Sequence, residues 1–538
     1  MFRPVIPMKP PALAALLVAA GLAVAALPAP AATTSPAAAK AAGVAWVYAS
    51  NDTEVDAAFA RATREAKPLL LYWGATWCPP CNHLKATLFP RQDFIARSRA
   101  FVPVYVDGDK PGAQKVASRF KVSGYPTMVL FDPKGGELTR LPGEADAPQV
   151  MALLEIGLAR GRPIQAVLAD ARDPARAKAL TADEWRLLAF HSWDTDEGQL
   201  APAAERPGLL AQLAAACPDA EAATKTRLWL KTLAVSDEGK GVKADAALRE
   251  RVLKLLADPA ATRAQMDVVA NYAAPITRVL VADAPDAKAA VVAAFDAALR
   301  QLQADPTLSR GDQLSALLSR VELARLDVPK ERIDVVLPAA LVGEVKAQVA
   351  RDDREIRDPY ERQDVITGAS YVLRRAGLMA ESDALLTANL SRSHSAYYLM
   401  AELGDNAKAR GDKAAAVKWY EQAFDKSVGP ATRLQWGAMY LSALVDLTPQ
   451  DHARIEKAAR QIFAEAAQQP DVFQQRNARQ LQRTANKLTA WNKAGGHDAV
   501  LKRLKAQLDP VCAKVPAADA QRATCEKLLR PAGADKAA

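Results

Sequence analysis

Two cysteines separated by two prolines are the residues of this chain whose types and spacing could do chemistry. Cys78 and Cys81 bracket Pro79 and Pro80, and they follow the apolar run 69–73. Such a run predicts a strand, and a strand that leads into a C-x-x-C turn places the first thiol at a helix N-terminus. There the helix dipole and unpaired backbone N–H groups stabilise a thiolate, the reactive form of cysteine. The spacing therefore predicts a dithiol that cycles between reduced and disulfide forms.

A C-x-x-C pair also occurs in structural zinc sites and at sites of covalent haem attachment. A zinc site needs two further cysteine or histidine ligands at suitable spacing, and the sequence has no second pair of this kind. Haem attachment needs a histidine directly after the second cysteine, where this chain has Asn82, with His83 one residue later. We therefore expect neither a metal nor a cofactor.

The residues around the motif, 43–162, alternate between strand-like and helix-like patterns. A short strand at 44–48 and a helix at 52–67 precede the motif. One helix that carries Leu84 and Phe94 follows the motif. The predicted order after that helix is a strand, a short helix, two strands joined by a tight turn, and a closing helix, at 101–106, 111–120, 128–131, 137–141 and 147–159. This order predicts an α/β domain with a mixed sheet flanked by helices.

The same residues resemble the thioredoxin superfamily. The resemblance rests on Trp77 before the first cysteine, on the stretch 124–127 some 45 residues further on, and on the element order. It implies a thioredoxin fold in which Pro126 follows a cis peptide bond and packs against the cysteines. It also implies that Trp77, Tyr125 and Thr127 belong to the substrate-binding surface. Exported members, including the soluble reductase domain of membrane thiol reductases, are the most similar.

The positions of the two cysteines predict different roles. We expect Cys78, at the helix N-cap, to be exposed and to attack a substrate disulfide, and Cys81, one turn inside, to be covered and to resolve the mixed disulfide. Thioredoxins usually have a buried aspartate six residues before the first cysteine, where this chain has Tyr72. Without that aspartate, the proton of Cys81 must pass to Asp107, to Asp109 or to water, or else Cys81 loses its proton slowly.

The residues between the cysteines favour a reductase of protein disulfides. Pro79 and Pro80 have no N–H group, so two potential donors to the Cys78 thiolate are missing. A less stabilised thiolate makes a weaker oxidant, nearer to thioredoxin at about −270 mV than to the strong oxidant near −120 mV. Disulfide oxidase and isomerase activities are the alternatives, as is a scaffold whose thioredoxin-like domain mainly binds.

The first 31 residues have the pattern of a secretory signal peptide. Arg3 and Lys9 precede an apolar stretch and an Ala-Pro-Ala cleavage site, so we expect 1–31 to be removed and 32–42 to form a flexible linker. The expected location is the periplasm, and the alternative is an anchor in the inner membrane through an uncleaved segment. The family resemblance implies that a membrane-embedded electron donor recharges such a reductase.

Beyond residue 162 the pattern changes to long amphipathic stretches rich in alanine and leucine, which predict a large all-α region. We expect a helical region at 163–350, a second one with tetratricopeptide-like repeats at 351–530, and a disordered tail at 531–538. Six positions recur 34 residues later, namely Ile366, Ser370, Gly377, Ser382, Leu386 and Leu390 as Met400, Gly404, Gly411, Ala416, Tyr420 and Phe424. Because helical repeats commonly form extended binding surfaces, we expect a protein partner, with a structural spacer as the alternative.

The other three cysteines lie far from the motif in sequence. Cys512 and Cys525 flank a bend at Pro516, which predicts a structural disulfide worth about 3 kcal/mol. Cys217 ends an alanine-rich helical stretch, which is typical of an inert buried thiol.

The net charge of +9 at pH 7 is spread along the chain, so no basic face for nucleic acid is expected.

Overall fold

The structure is a computed structural model that describes residues 43–530, except for residues 160, 197 and 330. The signal peptide and linker expected at 1–42 and the tail expected at 531–538 lie outside the described residues. Within the described part of the chain, no helix has the length and apolar character that crossing a membrane requires.

A mixed sheet, five-stranded within the described residues, forms the centre of the N-terminal part. The strands are β1 (Val47–Ala49), β2 (Leu69–Gly74), β3 (Val102–Asp107), β4 (Thr127–Phe131) and β5 (Glu137–Leu141). Their order across the sheet is β1-β3-β2-β4-β5, with β2 parallel to β3 and antiparallel to β4. Strand β2 is buried at every position, which suits its continuous apolar sequence and its central place.

The sheet is flanked by α1 (Asp52–Glu65), α2 (Pro79–Thr87), α3 (Gln92–Arg97), α4 (Ala113–Arg119) and α5 (Ala147–Leu158). The mixed sheet flanked by helices confirms the predicted fold class. The single helix expected after the motif is wrong, because the chain breaks between α2 and α3. Pro90 lies in that break, and a proline inside a helix removes a backbone hydrogen bond and clashes with the preceding turn.

The rest of the described chain is helical, which confirms the predicted all-α region. Its helices are α6 (Ile164–Ala171), α7 (Ala182–Phe190), α8 (Arg206–Ala216), α9 (Ala222–Val235), α10 (Ala246–Ala257), α11 (Pro259–Ala264), α12 (Met266–Val281), α13 (Lys288–Ala304), α14 (Arg310–Ala324), α15 (Ala339–Glu355), α16 (Pro359–Arg375), α17 (Met379–Asn389), α18 (Ala396–Ala409), α19 (Lys413–Lys426), α20 (Pro430–Leu447), α21 (His452–Ala466), α22 (Gln475–Trp491), α23 (Asp498–Lys514) and α24 (Ala520–Lys527). Short 3₁₀ helices lie at Ser98–Ala100, Ala177–Ala179, Asp219–Glu221, Asp237–Gly239 and Pro285–Ala287.

The 34-residue repeat corresponds to successive pairs of packed helices, α16 with α17 and α18 with α19. Gly377 and Gly411 occupy equivalent turns of the two pairs, and each has a φ of +78°. Glycine suits this left-handed conformation because it has no Cβ. At Gly404 a Cβ would lie 2.9 Å from the ring of Tyr420, so the glycine lets α18 and α19 pack closely. Helices α20 and α21 form a third pair with a longer connection.

One hydrophobic core joins the sheet to the first helices after residue 162. Its buried members include Leu130 of β4, Leu154 of α5, Trp185 of α7 and Leu213 of α8. Arg140 of β5 is fully buried and donates to the backbone oxygens of residues 120, 121 and 195. The sheet and helices α6–α8 therefore fold around a shared core.

Candidate active site

The two cysteines of the motif lie at the N-terminus of α2. Cys78 is the N-cap residue, and its sulfur accepts a hydrogen bond of 3.2 Å from the backbone N–H of Cys81. Pro79 and Pro80 occupy the first helical positions, where the missing N–H groups cost no intrahelical hydrogen bond. The two sulfurs are joined in a disulfide, with the Cα atoms 5.2 Å apart. The two sulfurs are therefore close enough to form and break a disulfide with each other, as the sequence predicts.

The loop that precedes β4 lies beside the motif. The peptide bond between Tyr125 and Pro126 is cis, and the ring centroid of Tyr125 lies 6.1 Å from that of Trp77. Gln114 donates from Nε2 to the Tyr125 hydroxyl at 3.0 Å, and the Thr127 hydroxyl donates to the backbone oxygen of residue 124 at 2.9 Å. The structure thus places Trp77 next to Tyr125 of the cis-proline loop, and Thr127 is buried within that loop.

The cysteines are buried, so the expectation of an exposed Cys78 is wrong. Cys78 is 2% exposed and Cys81 is 0% exposed. The cover comes from the helical region, because the ring of Trp77 stacks on Tyr398 of α18 at 6.0 Å and meets Trp436 of α20 edge-on at 6.0 Å. Both cysteines belong to the same hydrophobic cluster as residues of α18–α24. The burial of the cysteines could not be predicted from the residues around the motif, because the covering residues lie more than 300 positions away in sequence.

A buried carboxylate, Asp109, joins the motif to the cover. It accepts a hydrogen bond from Trp77 Nε1 at 3.0 Å, and the Thr432 hydroxyl lies 2.6 Å from each carboxylate oxygen. Burial raises the pKa of Asp109, and the hydrogen bond from Thr432 and the nearby Arg476 guanidinium oppose that rise. Of the two aspartates considered as a replacement for the acid missing at Tyr72, Asp109 is the one that contacts the motif's tryptophan.

Arg476 of α22 lies over both aromatic rings of the site. Its guanidinium carbon is 4.5 Å from the centroid of the Trp77 ring and 4.9 Å from that of Tyr125. Its backbone N–H donates to Gln114 Oε1 at 3.1 Å, and the backbone N–H of Gln114 donates to Asp471 at 2.8 Å. A cation over an aromatic face contributes about 0.5–2 kcal/mol. Arg476 therefore adds a positive charge from the helical region, which reasoning from the sequence missed.

On another face of α2, His83 forms an ion pair with the helical region. Its Nδ1 lies 2.9 Å from Asp364 Oδ2 of α16, and its Nε2 lies 3.9 Å from Asp312 Oδ1 of α14. Burial alone would lower the pKa of His83, but the carboxylates of Asp364, Asp312 and Glu361 outweigh it and raise the pKa to about 9. The imidazole is therefore protonated at neutral pH and forms a charged contact between α2 and the helical region.

This contact predicts a stability that falls at alkaline pH. Because the pKa of His83 is raised from 6.5 to about 9, its contribution is complete below pH 6.5 and is lost as the pH rises through 9. We expect the free energy of unfolding of the wild type to exceed that of a His83→Gln variant at pH 6, and the gap to shrink by pH 9.5. The measurement is urea unfolding of both proteins across this range.

Other charged groups near this contact include Arg310, 3.6 Å from Glu361, and Asp146, which lies near Asp312. Asp352 and Asp358 also lie near Glu361. Arginine does not titrate in this range, so it leaves the expected trend unchanged. An Asp364→Asn variant should lose the same pH-dependent difference. A gap between wild type and His83→Gln that stays constant from pH 6 to 9.5 would contradict the role of His83.

The remaining cysteines have structural surroundings. Cys512 of α23 and Cys525 of α24 form a disulfide, with Cα atoms 5.5 Å apart, and both are buried. Cys217 is a buried free thiol at the C-cap of α8, and burial raises its pKa to about 11. A thiol with so high a pKa is a poor nucleophile at neutral pH.

Comparison with known proteins places the similarity in the N-terminal part. The thioredoxin-like domain family matches residues 55–157. The thiol:disulfide interchange protein DsbD 2 of Pseudomonas aeruginosa is 28% identical over 121 residues, which are 22% of this chain and 21% of that protein. A thioredoxin-like protein of Synechocystis sp. is 32% identical over 90 residues, which are 17% of this chain and 81% of that protein. Among solved structures, a DsbH oxidoreductase has 19% identity, covers 22% of this chain and 88% of its own, and gives a TM-score of 0.20.

The extent of these matches differs between the relatives. The chain spans about a fifth of the length of the two DsbD proteins of Pseudomonas aeruginosa. It spans most of the Synechocystis protein, and the family match at 55–157 includes Cys78, Cys81 and the cis-proline loop. On this evidence, the chain belongs to the thioredoxin-like family.

Proposed function

We propose that the protein is an exported thiol-disulfide oxidoreductase that reduces protein disulfides through Cys78 and Cys81. The observation that carries the proposal is the pair of sulfurs at the N-terminus of α2, beside the cis Tyr125-Pro126 loop. The name of the two Pseudomonas aeruginosa relatives, thiol:disulfide interchange protein, supports the general reaction class. The periplasm is the proposed location, because the first 31 residues have the pattern of a signal peptide.

The proposed reaction moves two electrons from the dithiol to the substrate. The Cys78 thiolate attacks one sulfur of a substrate disulfide, and the other substrate sulfur leaves as a thiolate that takes up a proton. Cys81 then loses its proton and attacks the Cys78 sulfur, which releases the second substrate thiol and leaves a Cys78–Cys81 disulfide. A further dithiol must reduce that disulfide, and a membrane-embedded donor is our proposal for an exported protein.

The surroundings of Cys78 favour the reducing direction. The N–H of Cys81 donates to the Cys78 sulfur, whereas Pro79 and Pro80 have no N–H to offer. Burial disfavours the charged thiolate as well, although Arg476 brings a positive charge close to the neighbouring Trp77. A thiolate with little stabilisation makes the disulfide form harder to reduce, so the dithiol is a better reductant.

The reduction potential of the Cys78–Cys81 pair tests this direction. We expect a value below about −220 mV for the full-length protein equilibrated in glutathione or dithiothreitol buffers. A value near −120 mV would identify a disulfide oxidase instead. The absence of any exchange would favour a scaffold whose thioredoxin-like domain mainly binds. A Cys217→Ala variant is the matched control, because that thiol lies outside the motif.

A protein partner for the helical repeats remains part of the proposal. Helical repeat arrays commonly present extended surfaces to other proteins, and three successive helix pairs are present between α16 and α21. The same part of the chain also contacts the dithiol, since Tyr398 and Trp436 lie against Trp77. The helices proposed to bind a partner are therefore also the helices that cover the cysteines.

A further inference from the structure

The surface that a substrate disulfide must reach is already occupied in this structure. Thiol-disulfide exchange requires the attacking sulfur to meet a substrate sulfur directly. Cys78 is 2% exposed and Trp77 is 7% exposed, so a disulfide in a folded protein cannot approach the sulfur. A dithiol enzyme of the proposed kind must therefore adopt a second arrangement in which this surface is free.

We propose that helices α18, α20 and α22 form a gate that closes the dithiol and must move away before a substrate protein can react. The gate is defined by Tyr398, Thr432, Trp436 and Arg476, which contact Trp77 or Asp109. The gate rests on the proposed function, and it adds to that function a control of access by a surface within the same chain.

The apolar part of the gate competes for the aromatic surface beside the cysteines. Tyr398 stacks on Trp77 with an interplanar angle of 20°, and Trp436 packs edge-on against the same ring. Arg476 lies over the rings of Trp77 and Tyr125. Trp77 directly precedes Cys78, so a protein that brings a disulfide to the Cys78 sulfur must lie against the same rings. Gate and substrate protein therefore exclude each other.

Polar contacts also join the gate to the thioredoxin-like part, among them the hydrogen bond from the Arg476 backbone N–H to Gln114. Thr432 hydrogen-bonds to the buried Asp109, and Arg479 of α22 donates to the backbone oxygen of residue 123 at 2.9 Å. His394, in the connection before α18, has its Nε2 3.1 Å from the backbone oxygen of residue 76. These contacts join side chains to the loops on both sides of the dithiol. They add to the apolar contacts that Trp77 and the cysteines make with residues of α18–α24.

The first helices after residue 162 are attached to the sheet differently. Helices α6–α8 share a core with the sheet, and Arg140 is fully buried among backbone oxygens. On α2, His83 is paired with Asp364 of α16. Because each pair in a helical repeat array contacts mainly its neighbours, a change of curvature between α16/α17 and α18/α19 can move the gate without unfolding either side.

The test measures how fast the Cys78 thiol reacts in the full-length reduced protein. Iodoacetamide is the probe, and mass spectrometry of the peptide that carries Cys78 gives the rate. We expect Thr432→Val and Trp436→Ala each to raise the rate roughly tenfold, because each weakens a contact that holds the closed form. Rates are compared over a full pH profile, so that a change in the pKa of the thiol is not mistaken for a change in access.

The control is Trp491→Ala, which removes a half-buried tryptophan at the C-terminal end of α22. Its ring stacks on His497 and its Nε1 donates to the backbone oxygen of residue 449, so its contacts are not with the four residues that define the gate. It should leave the rate unchanged. The gate would be contradicted if Cys78 of the wild type is alkylated as fast as in both gate variants, or as fast as in protein unfolded by guanidinium.

Turnover of a protein disulfide separates the gate from the proposed function. If alkylation is faster in the gate variants but neither they nor the wild type turn over a protein disulfide, the reductase function is contradicted and the gate is supported. If turnover is normal and the alkylation rates are equal, the gate is contradicted and the reductase function is supported. Thr432→Val makes the smaller change of the two, so it serves as the decisive variant if Trp436→Ala does not fold.

Discussion

Replacing Cys78 by alanine should abolish disulfide reduction, with turnover falling by about 10³-fold or more, because no other group can form the mixed disulfide. Cys78 is the N-cap residue of α2, whereas Cys81 lies inside the first turn, so we expect Cys81 to resolve the mixed disulfide and not to replace Cys78 in the attack. The measurement is the turnover of a protein disulfide by full-length enzyme with excess dithiothreitol, corrected for the reaction without enzyme. An active Cys78→Ala protein would contradict the mechanism.

A Cys81→Ser variant separates the two roles. It keeps the attacking thiol and removes the resolving one, so the mixed disulfide between Cys78 and its substrate should accumulate. Non-reducing electrophoresis of the variant after incubation with periplasmic proteins should show these adducts, and Cys78→Ala with Cys81→Ser should show none. The trapped proteins would also identify the natural substrates. Activity retained by Cys81→Ser would favour an isomerase instead.

The chemistry of the site could be predicted from the sequence because its signals are local. The apolar strand, the C-x-x-C turn and the stretch 124–127 are short segments, and each has few conformations open to it. The residues that cover the site, Tyr398 and Trp436, look like ordinary core residues of helical repeats. Their contact with Trp77 depends on how the whole helical region packs, and periodicity carries no information about that packing.

The helical region was predictable to different degrees along its length. From α16 to α19 a regular period exists, and the glycines at 377 and 411 mark equivalent turns. Between α6 and α15 the helices differ in length, and α12 has a kink at Tyr272, with Pro275 in the following turn. A proline inside a helix and buried charged contacts are features of individual positions. They give no repeat that a sequence pattern could reveal.

The shared core also changes how the helical region can be tested. Truncation after residue 162 would expose the buried side of the sheet that packs against Trp185 and Leu213. Loss of activity in such a fragment would then report lost stability as well as a lost partner surface. Point substitutions at the gate leave this core intact, so they are the better test.

Removing the carboxylate of Asp267 should destabilise the protein by about 3–5 kcal/mol, because it leaves a buried charge without its partner. Arg227 of α9 is 0% exposed, and its Nη1 and Nη2 donate to the two carboxylate oxygens of Asp267 at 2.9 and 2.6 Å. Burial raises the pKa of Asp267, but Arg227 outweighs it and holds that pKa below its usual range. An Asp267→Ala variant keeps the arginine, whose guanidinium carbon lies 3.4 Å from the centroid of the Phe190 ring, in a fully buried site.

Denaturant unfolding of the wild type, of Asp267→Ala and of a variant with both Asp267→Ala and Arg227→Met measures this effect. The double variant should recover much of the lost stability, because a buried ion pair replaced by apolar groups is often neutral. A loss of less than about 1 kcal/mol in Asp267→Ala would mean that Arg227 finds other partners. The Arg227–Asp267 pair joins α9 to α12, beside the core that α7 and α8 share with the sheet, whereas the gate is held by contacts around Trp77 and Asp109. Asp267→Ala should therefore lower the global free energy of unfolding without a selective rise in the alkylation rate of Cys78. Thr432→Val should raise the alkylation rate of Cys78 with little change in the global free energy of unfolding.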